Sequence, residues 1–305
     1  MSKSKILITG SNGLLGQKLV NLLADKTDFD FIATARGKNR IKSIEGFAYR
    51  TLDITSQQDV DKVILEEKPN VVIHTAAMTN VDQCEDEKEL CDSMNVDAVA
   101  YLAKACEEIE AHLIHLSTDF IFDGEDGPYD ESSIQPNPIS YYGESKLRAE
   151  HILYNSKVRW TIARTVLVYG ITEGMSRSNI ILWVKSSVES GKQINVVTDQ
   201  YRSPTLAEDL AMGCYLIAQK GATGIYNISG EEVLTPYEMA IQTADFFSLD
   251  KSFINETDGS KFQQRAKRPP KTGFIITKAK KELGYQPHTF SEGIAILQKQ
   301  VEEQS

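Results

Sequence analysis

The sequence has no CxxC pair. Its four cysteines, Cys84, Cys91, Cys106 and Cys214, are scattered, so neither a zinc finger nor a dithiol redox motif is indicated. Buried small hydrophobes or free thiols are expected instead. Five histidines are equally dispersed, with no HExxH or other ligand spacing, and no metal site is expected. There is no basic run of the kind that grips a nucleic-acid backbone, and the net charge is −10. No apolar stretch approaches the ~18 residues needed to cross a bilayer. The chain opens with "MSKSKILITG", passing straight into a strand pattern without an apolar leader. A cytoplasmic protein with neither nucleic acid nor membrane as partner is therefore expected. An acidic protein can still hold a local positive pocket for an anionic small molecule.

What is present is a regular alternation. Short β-branched runs with few internal charges predict strands at Lys5–Thr9, Phe29–Ala35, Ala48–Leu52, Val71–Thr75, Leu113–Ser117 and Thr161–Val168. Helical patterns fall between them at Leu14–Ala24, Gln57–Glu67, Glu89–Glu108 and Tyr142–Tyr154. Ser56 or Thr55 is placed to cap the second helix. Alternation of this kind over 305 residues predicts an α/β protein with a Rossmann-type, doubly wound parallel sheet. Beyond about Gly170 the rhythm loosens. Helices are expected at Asn179–Ser190, Leu206–Gln219, Pro236–Phe247, Thr277–Leu283 and Glu292–Val301, with short strands at Ile194–Val197 and Ile225–Ile228. The expected division is a dinucleotide-binding domain over residues 1–170, completed by roughly 200–228. A smaller mixed C-terminal lobe for substrate would comprise 171–199 and 229–305.

"ITGSNGLLG" follows the first strand and places Gly10, Gly13 and Gly16 at GxxGxxG spacing. A tight turn, close backbone approach to a pyrophosphate and close helix–strand contact all call for glycine there. The following helix offers free N–H groups to phosphates. Asn12, Leu14 and Leu15 belong to the same candidate cofactor loop. An acidic residue about 20 positions on would favour NAD. Arg36 stands at that distance instead, with Lys38 and Arg40 after it. Arginine suits the extra phosphate of NADP(H), so NADP(H) is the expected cofactor, with NAD(H) retained as possible. Asp53 and Ile54 end the third strand near the adenine position. Ala76 and Ala77 in "HTAAM" are small enough for backbone to approach a flat cofactor, and tight internal contact explains them equally well. Thr79 follows on the substrate side.

In "ISYYGESKLRAE", Tyr142 and Lys146 are four apart and share one helix face. Tyr141 has only Ser145 at that spacing. A phenol titrates near about 10; a nearby ammonium favours its ionised form, while burial opposes it. Lysine also has spare donors for ribose hydroxyls. Upstream, "HLSTDFIFDG" places Ser117 and Thr118 at the carboxyl edge of the fifth strand, where ligands bind in open α/β sheets. The glycine- and proline-containing stretch from Asp119 to Pro138 would bring Tyr142 to that same edge. Trp183 is expected in the core, "CEDEKE" is an acidic helix opening, and "RAKRPPK" is the one basic stretch, read as a solvated loop.

The segments "TGSNGLLG", "STDFIFDG" with "PYDE", "YYGESK" and "RTVLVYG" resemble the extended short-chain dehydrogenase/reductases. "DQYRSPT" and "EDLA" resemble the dTDP-4-dehydrorhamnose reductase branch of that family. The resemblance implies a catalytic triad of Thr118, Tyr142 and Lys146, with Ser117 beside the cofactor. It implies hydride transfer to a keto sugar carried on a nucleoside diphosphate, with Tyr142 as proton donor. Thr79, Asp119, Phe120 and Arg202 would face that substrate. Two positions depart from the branch. Leu167 replaces its usual tryptophan, and Arg202 stands where glycine is usual, suiting either a diphosphate or a salt bridge to the acidic surface. Alternatives on the same scaffold are a nucleotide-sugar epimerase or dehydratase with bound NAD, and a non-catalytic NADP-binding regulatory subunit resembling the methionine adenosyltransferase β subunit. A homodimer is compatible with all three.

Overall fold

The computed structural model describes residues 3–304 apart from 43, 45, 134, 175–178 and 262–264. Seven strands form one all-parallel sheet: β1 (Ser4–Thr9), β2 (Phe29–Ala35), β3 (Ala48–Thr51), β4 (Val71–His74), β5 (His112–Thr118), β6 (Arg159–Thr165) and β10 (Gly224–Asn227). Their spatial order is β10-β6-β5-β4-β1-β2-β3. The order reverses beside β1, so the carboxyl ends of β1 and β4 open a crevice, as the doubly wound arrangement requires. The central strands are buried on both faces, which explains their unbroken Ile, Leu and Val runs.

Helices α1 (Leu14–Ala24) and α8 (Ala207–Lys220) pair on one face of the sheet. Helices α2 (Gln57–Glu67), α5 (Ala98–Glu108) and α6 (Tyr141–Tyr154) lie on the other, over Leu7, Val72, Leu113 and Ile162. α2 is capped by the Ser56 hydroxyl, which accepts from the Asp59 N–H; Thr55 bonds Asp53 instead. The single helix expected over Glu89–Glu108 is interrupted. α3 (Val81–Asp86) and α4 (Lys88–Asp92) break at Glu87, and a π-helical turn at Ser93–Asp97 leads into α5. The sixth strand also ends earlier than expected. Leu167 has φ +37°, a left-handed conformation that stops β6 and starts the separate strand β7 (Val168–Tyr169), paired with β9 (Thr205–Leu206).

The remaining elements are α7 (Ile180–Glu189), β8 (Ile194–Val197), α9 (Pro236–Phe246), β11 (Ile254–Thr257) and α10 (Phe290–Gln304). They enclose two smaller apolar clusters, one around Val184, Ile194, Ala240 and Ile254, the other around Tyr169, Met239, Phe290 and Ile294. Thr277–Leu283, expected as a helix, closes in a π-helical turn at Ala279–Leu283. Trp183, expected in the core, is 36% exposed. Ile181, Val184 and Val188 take the inward stripe of α7, and position 183 falls off it. All four cysteines are buried, and none is in a disulfide. Among the described residues, no helix is long and apolar enough to cross a membrane.

Candidate active site

The crevice begins at the glycine turn. Gly10 has φ +70°, and a Cβ there would lie 2.7 Å from the Ala76 amide nitrogen. A Cβ on Gly16 would lie 2.3 Å from the Gly10 carbonyl oxygen. These contacts let β1, the turn and α1 close together beside the end of β4, with Ala76 forming the facing wall. Gly13 is the N-cap of α1, has no side-chain cap, and no acidic residue follows in the first turn. The amides of Leu14, Leu15 and Gly16 therefore face outward unpaired by a cap. The Ser11 hydroxyl is buried and has no partner among the described residues; sequence reasoning had passed it over. A cradle of bare N–H groups with an unpaired hydroxyl fits the pyrophosphate of a dinucleotide.

Asn12 acts through its neighbours. Its amide donates to the Lys38 carbonyl at 3.0 Å and accepts from the Arg40 N–H at 2.9 Å. It thereby ties the exposed basic turn of Arg36, Lys38 and Arg40 to the glycine loop. Asp53 is held by the Thr55 hydroxyl (2.7 Å) and amide (3.0 Å), and Arg36 bears on its charge. These bonds, with the Arg36 charge, lower the Asp53 pKa against partial burial. Ile54 is buried beneath it. Ala77 is partly exposed at the end of β4, and Thr79 lies exposed beyond it.

Tyr142 and Lys146 project from the first two turns of α6, whose N-terminus is capped by the Ser140 hydroxyl. Gly143 explains how Tyr142 reaches its place. A Cβ at 143 would lie 2.1 Å from the Phe120 carbonyl oxygen, so the helix rests directly on the Thr118–Phe120 turn. Phe120 meets the Tyr142 ring edge-on at 5.8 Å. The Thr118 hydroxyl lies close enough to favour the ionised phenol, but burial is the larger influence and drives the Tyr142 pKa above the ordinary phenol value. Asp119, Cys84 and Cys91 push in the same direction as burial. Of the two opposed influences expected on this phenol, burial is the stronger, and the phenol stays protonated. Lys146 is buried, its pKa is lowered to about 8 by desolvation, and Glu150 and Cys91 counter this.

Three other expected site residues face inward. Ser117 donates to Glu150 at 2.6 Å, and Glu150 forms a fully buried ion pair with Arg164 at 2.6 Å. The Ser117 hydroxyl therefore belongs to the core network. Asp119 is buried and accepts from the Thr118 hydroxyl (3.0 Å) and from the Thr272 hydroxyl. Burial raises its pKa, which Arg202 and these bonds partly offset. Arg202 donates to the carbonyls of Tyr201 (2.7 Å), Pro270 (3.2 Å) and Pro269 (2.6 Å), with Nε 4.0 Å from Asp119. The salt bridge expected with the acidic surface is instead a buried contact with Asp119.

The Pro269 and Pro270 carbonyls belong to the basic stretch, which is not merely solvated. Arg268 pairs with Asp82 at 2.7 Å and Arg265 pairs with Asp86, so carboxylates at both ends of α3 hold it down. The Asp119–Pro138 stretch is ordered by Phe122 stacked on Tyr129 at 4.0 Å, and by the Tyr129 N–H donating to the Gly273 carbonyl at 2.8 Å. Sequence reasoning also missed Asn95. Its side chain accepts from the Met78 N–H at 2.8 Å and donates to the Met78 carbonyl and the Ser145 hydroxyl, both at 3.1 Å. It clamps the segment after β4 to α6 from within the π-helical turn. That turn was the available signal only once the fold was known, since π-bulges concentrate at functional sites.

The family model of the RmlD substrate binding domain matches residues 4–303. The chain belongs to the RmlD family. Relatives within and around that family include a dTDP-4-dehydrorhamnose reductase of Aggregatibacter actinomycetemcomitans, 31% identical over 98% of this chain and 100% of its own. Methionine adenosyltransferase 2 subunit beta of Bos taurus is 31% identical, covering 82% of this chain and 74% of its own. Among solved structures, a dTDP-4-dehydrorhamnose reductase from Clostridium acetobutylicum superposes with a TM-score of 0.85 at 27% identity, covering 98% of this chain and 99% of that one. The Bacillus anthracis reductase, solved in complex with NADP, gives 0.83 at 26% identity, covering 98% and 100%. The RmlD relationship accounts for the parallel sheet and the glycine turn together.

Proposed function

We propose that this RmlD-family chain is an NADPH-dependent reductase of a 4-keto sugar linked to a nucleoside diphosphate. One observation carries the reading: a phenol kept protonated by burial, Tyr142, lies beside the Thr118 hydroxyl one helical turn from the buried Lys146, at the sheet edge that holds the glycine cradle. The cofactor supplies the hydride when bound. Gly10, Gly13 and Gly16 and the amides after them hold its pyrophosphate. The Asn12-braced turn offers Arg36 to a 2′-phosphate. Ala76 and Ala77 give it a flat wall, and Lys146 holds ribose hydroxyls. The lobe of 171–199 and 229–305 supplies the sugar-nucleotide side, with Thr79 and Phe120 at its border.

Each residue of the proposed triad has a distinct task. Tyr142 is a general acid, and its raised pKa keeps its proton available for the developing alkoxide. Thr118 orients the carbonyl. Its proton now points to Asp119, so it must turn toward the substrate; Asp119 retains Thr272 and Arg202 as partners when it does. The named reductase relatives support this substrate class.

The test is loss of NADPH absorbance with a panel of nucleoside-diphosphate 4-keto sugars. Turnover is expected with at least one, and Tyr142→Phe is expected to lower kcat by about 10²–10⁴-fold with NADPH affinity unchanged. Unchanged turnover in that variant would refute the acid role. The methionine adenosyltransferase relative favours a second reading, an NADP-binding regulatory subunit. Tight NADPH binding without turnover of any keto sugar would support that reading instead.

A further inference from the structure

Lys146 is 3% exposed, in the wall between α6 and β5. Among the described residues its ammonium has one side-chain hydrogen-bond partner, Nε2 of His115, 3.1 Å away. An ammonium only donates. Nε2 must therefore carry a lone pair, and the proton of the neutral ring sits on Nδ1. That Nδ1 is buried and meets no acceptor among the described residues.

The surroundings keep the ring neutral. His115 stacks on His74 of β4, with centroids 5.5 Å apart and planes 23° from parallel. His74 Nδ1 shares a hydrogen bond with the Thr9 hydroxyl at 2.7 Å, at the end of the strand that leads into the glycine turn. The other ionisable groups bearing on Lys146 are Glu150 on its own helix, already bound to Arg164, and Cys91 on α4. Tyr142 lies one turn before it on the same helix. Burial, with the Lys146 charge and His74, holds His115 well below its ordinary pKa.

A ring N–H without a partner in a sheet core opposes folding. An aliphatic side chain of similar size would leave no such group. The one bond this ring does satisfy is the bond to Lys146. We propose that His115 is the positioning residue for Lys146: its Nε2 lone pair fixes the ammonium against β5 and leaves the two remaining N–H bonds for ribose hydroxyls. This rests on the reading of Lys146 as a cofactor-holding group. It adds an inner brace, Thr9–His74–His115–Lys146, running from the phosphate cradle to the proposed triad beneath the crevice.

The brace is tested on the free protein by 13Cε NMR of labelled lysine, with the Lys146 signal assigned by its loss in Lys146→Arg. The wild-type titration is expected near 8. In His115→Leu the ammonium loses its acceptor but keeps its desolvation, so the midpoint is expected to fall by about one unit, an about tenfold loss of proton affinity. Binding of NADPH, followed by its fluorescence, is expected to weaken about threefold at a pH midway between the two midpoints and to approach about tenfold above both. His115→Gln, whose amide oxygen can accept from Nζ, should recover most of both. His115→Phe removes the acceptor while keeping a ring, and serves if the leucine variant does not fold. An unmoved Lys146 midpoint in a folded acceptor-less variant would overturn the inference. Because the titration needs no substrate, failure to reduce any keto sugar would count against the reductase reading alone.

Discussion

Arg36 shows how much a single position can decide. It is exposed at the tip of β2, in a turn that Asn12 fastens to the glycine loop. A guanidinium there contributes to affinity only if a phosphate arrives, because nothing buried depends on it. Arg36→Ser is expected to weaken NADPH binding by about tenfold or more, the loss of one charge-assisted contact, and to leave NADH binding unchanged. Parallel titrations of the two cofactors check this. Residues of this kind were legible in the sequence because their meaning is local: glycines at fixed offsets, an arginine at a strand tip, Tyr142 and Lys146 four apart. The bonds that Ser117, Asp119 and Arg202 make were not legible, for the opposite reason. Their partners are Glu150, Thr272 and the carbonyls of Pro269 and Pro270, and no local pattern announces a bond across so much chain.

At the scale of elements, strand and helix positions in the first half agreed with the periodicity because the central parallel strands are buried on both faces. The exceptions were backbone events without a compositional signature, the π-helical turn at Ser93–Asp97 and the left-handed Leu167. Contact between elements was also invisible: nothing in "YYGESK" says that α6 lies on the Phe120 carbonyl. Gly143→Ala is expected to push the helix off that turn, since its new methyl would fall 2.1 Å from backbone oxygen. A displacement of ~1 Å at Tyr142 would lower kcat by about 10²-fold. Glu144→Ala, an exposed substitution in the same turn, should leave the rate intact. Side-by-side kinetics of the two variants, with melting curves, check the difference.

For the molecule as a whole, three buried histidines set an acid limit. His74 is lowered to about 3 and His112 to about 4, and His115 lies well below its ordinary value, in each case chiefly because burial excludes the charged ring. The unfolded chain takes up these protons near pH 6.5, while in the folded chain His112 does so only near pH 4, His74 near pH 3, and His115 well below its ordinary value. Unfolding therefore binds protons across that window, and stability falls as pH drops through it. Three groups give a limiting slope of about 4 kcal/mol per pH unit. Urea melts at pH 7 and pH 5 should show the loss, and His112→Phe should reduce it. The molecule also has an order of completion. The hydroxyl of Thr272, 153 positions beyond Asp119, and the carbonyls around Pro269 must be in place before Asp119 and Arg202 find their full set of partners. A chain emerging from the ribosome can build its nucleotide cradle early from the first strands. Its carbonyl-orienting corner has to wait until nearly nine-tenths of the polypeptide has been made.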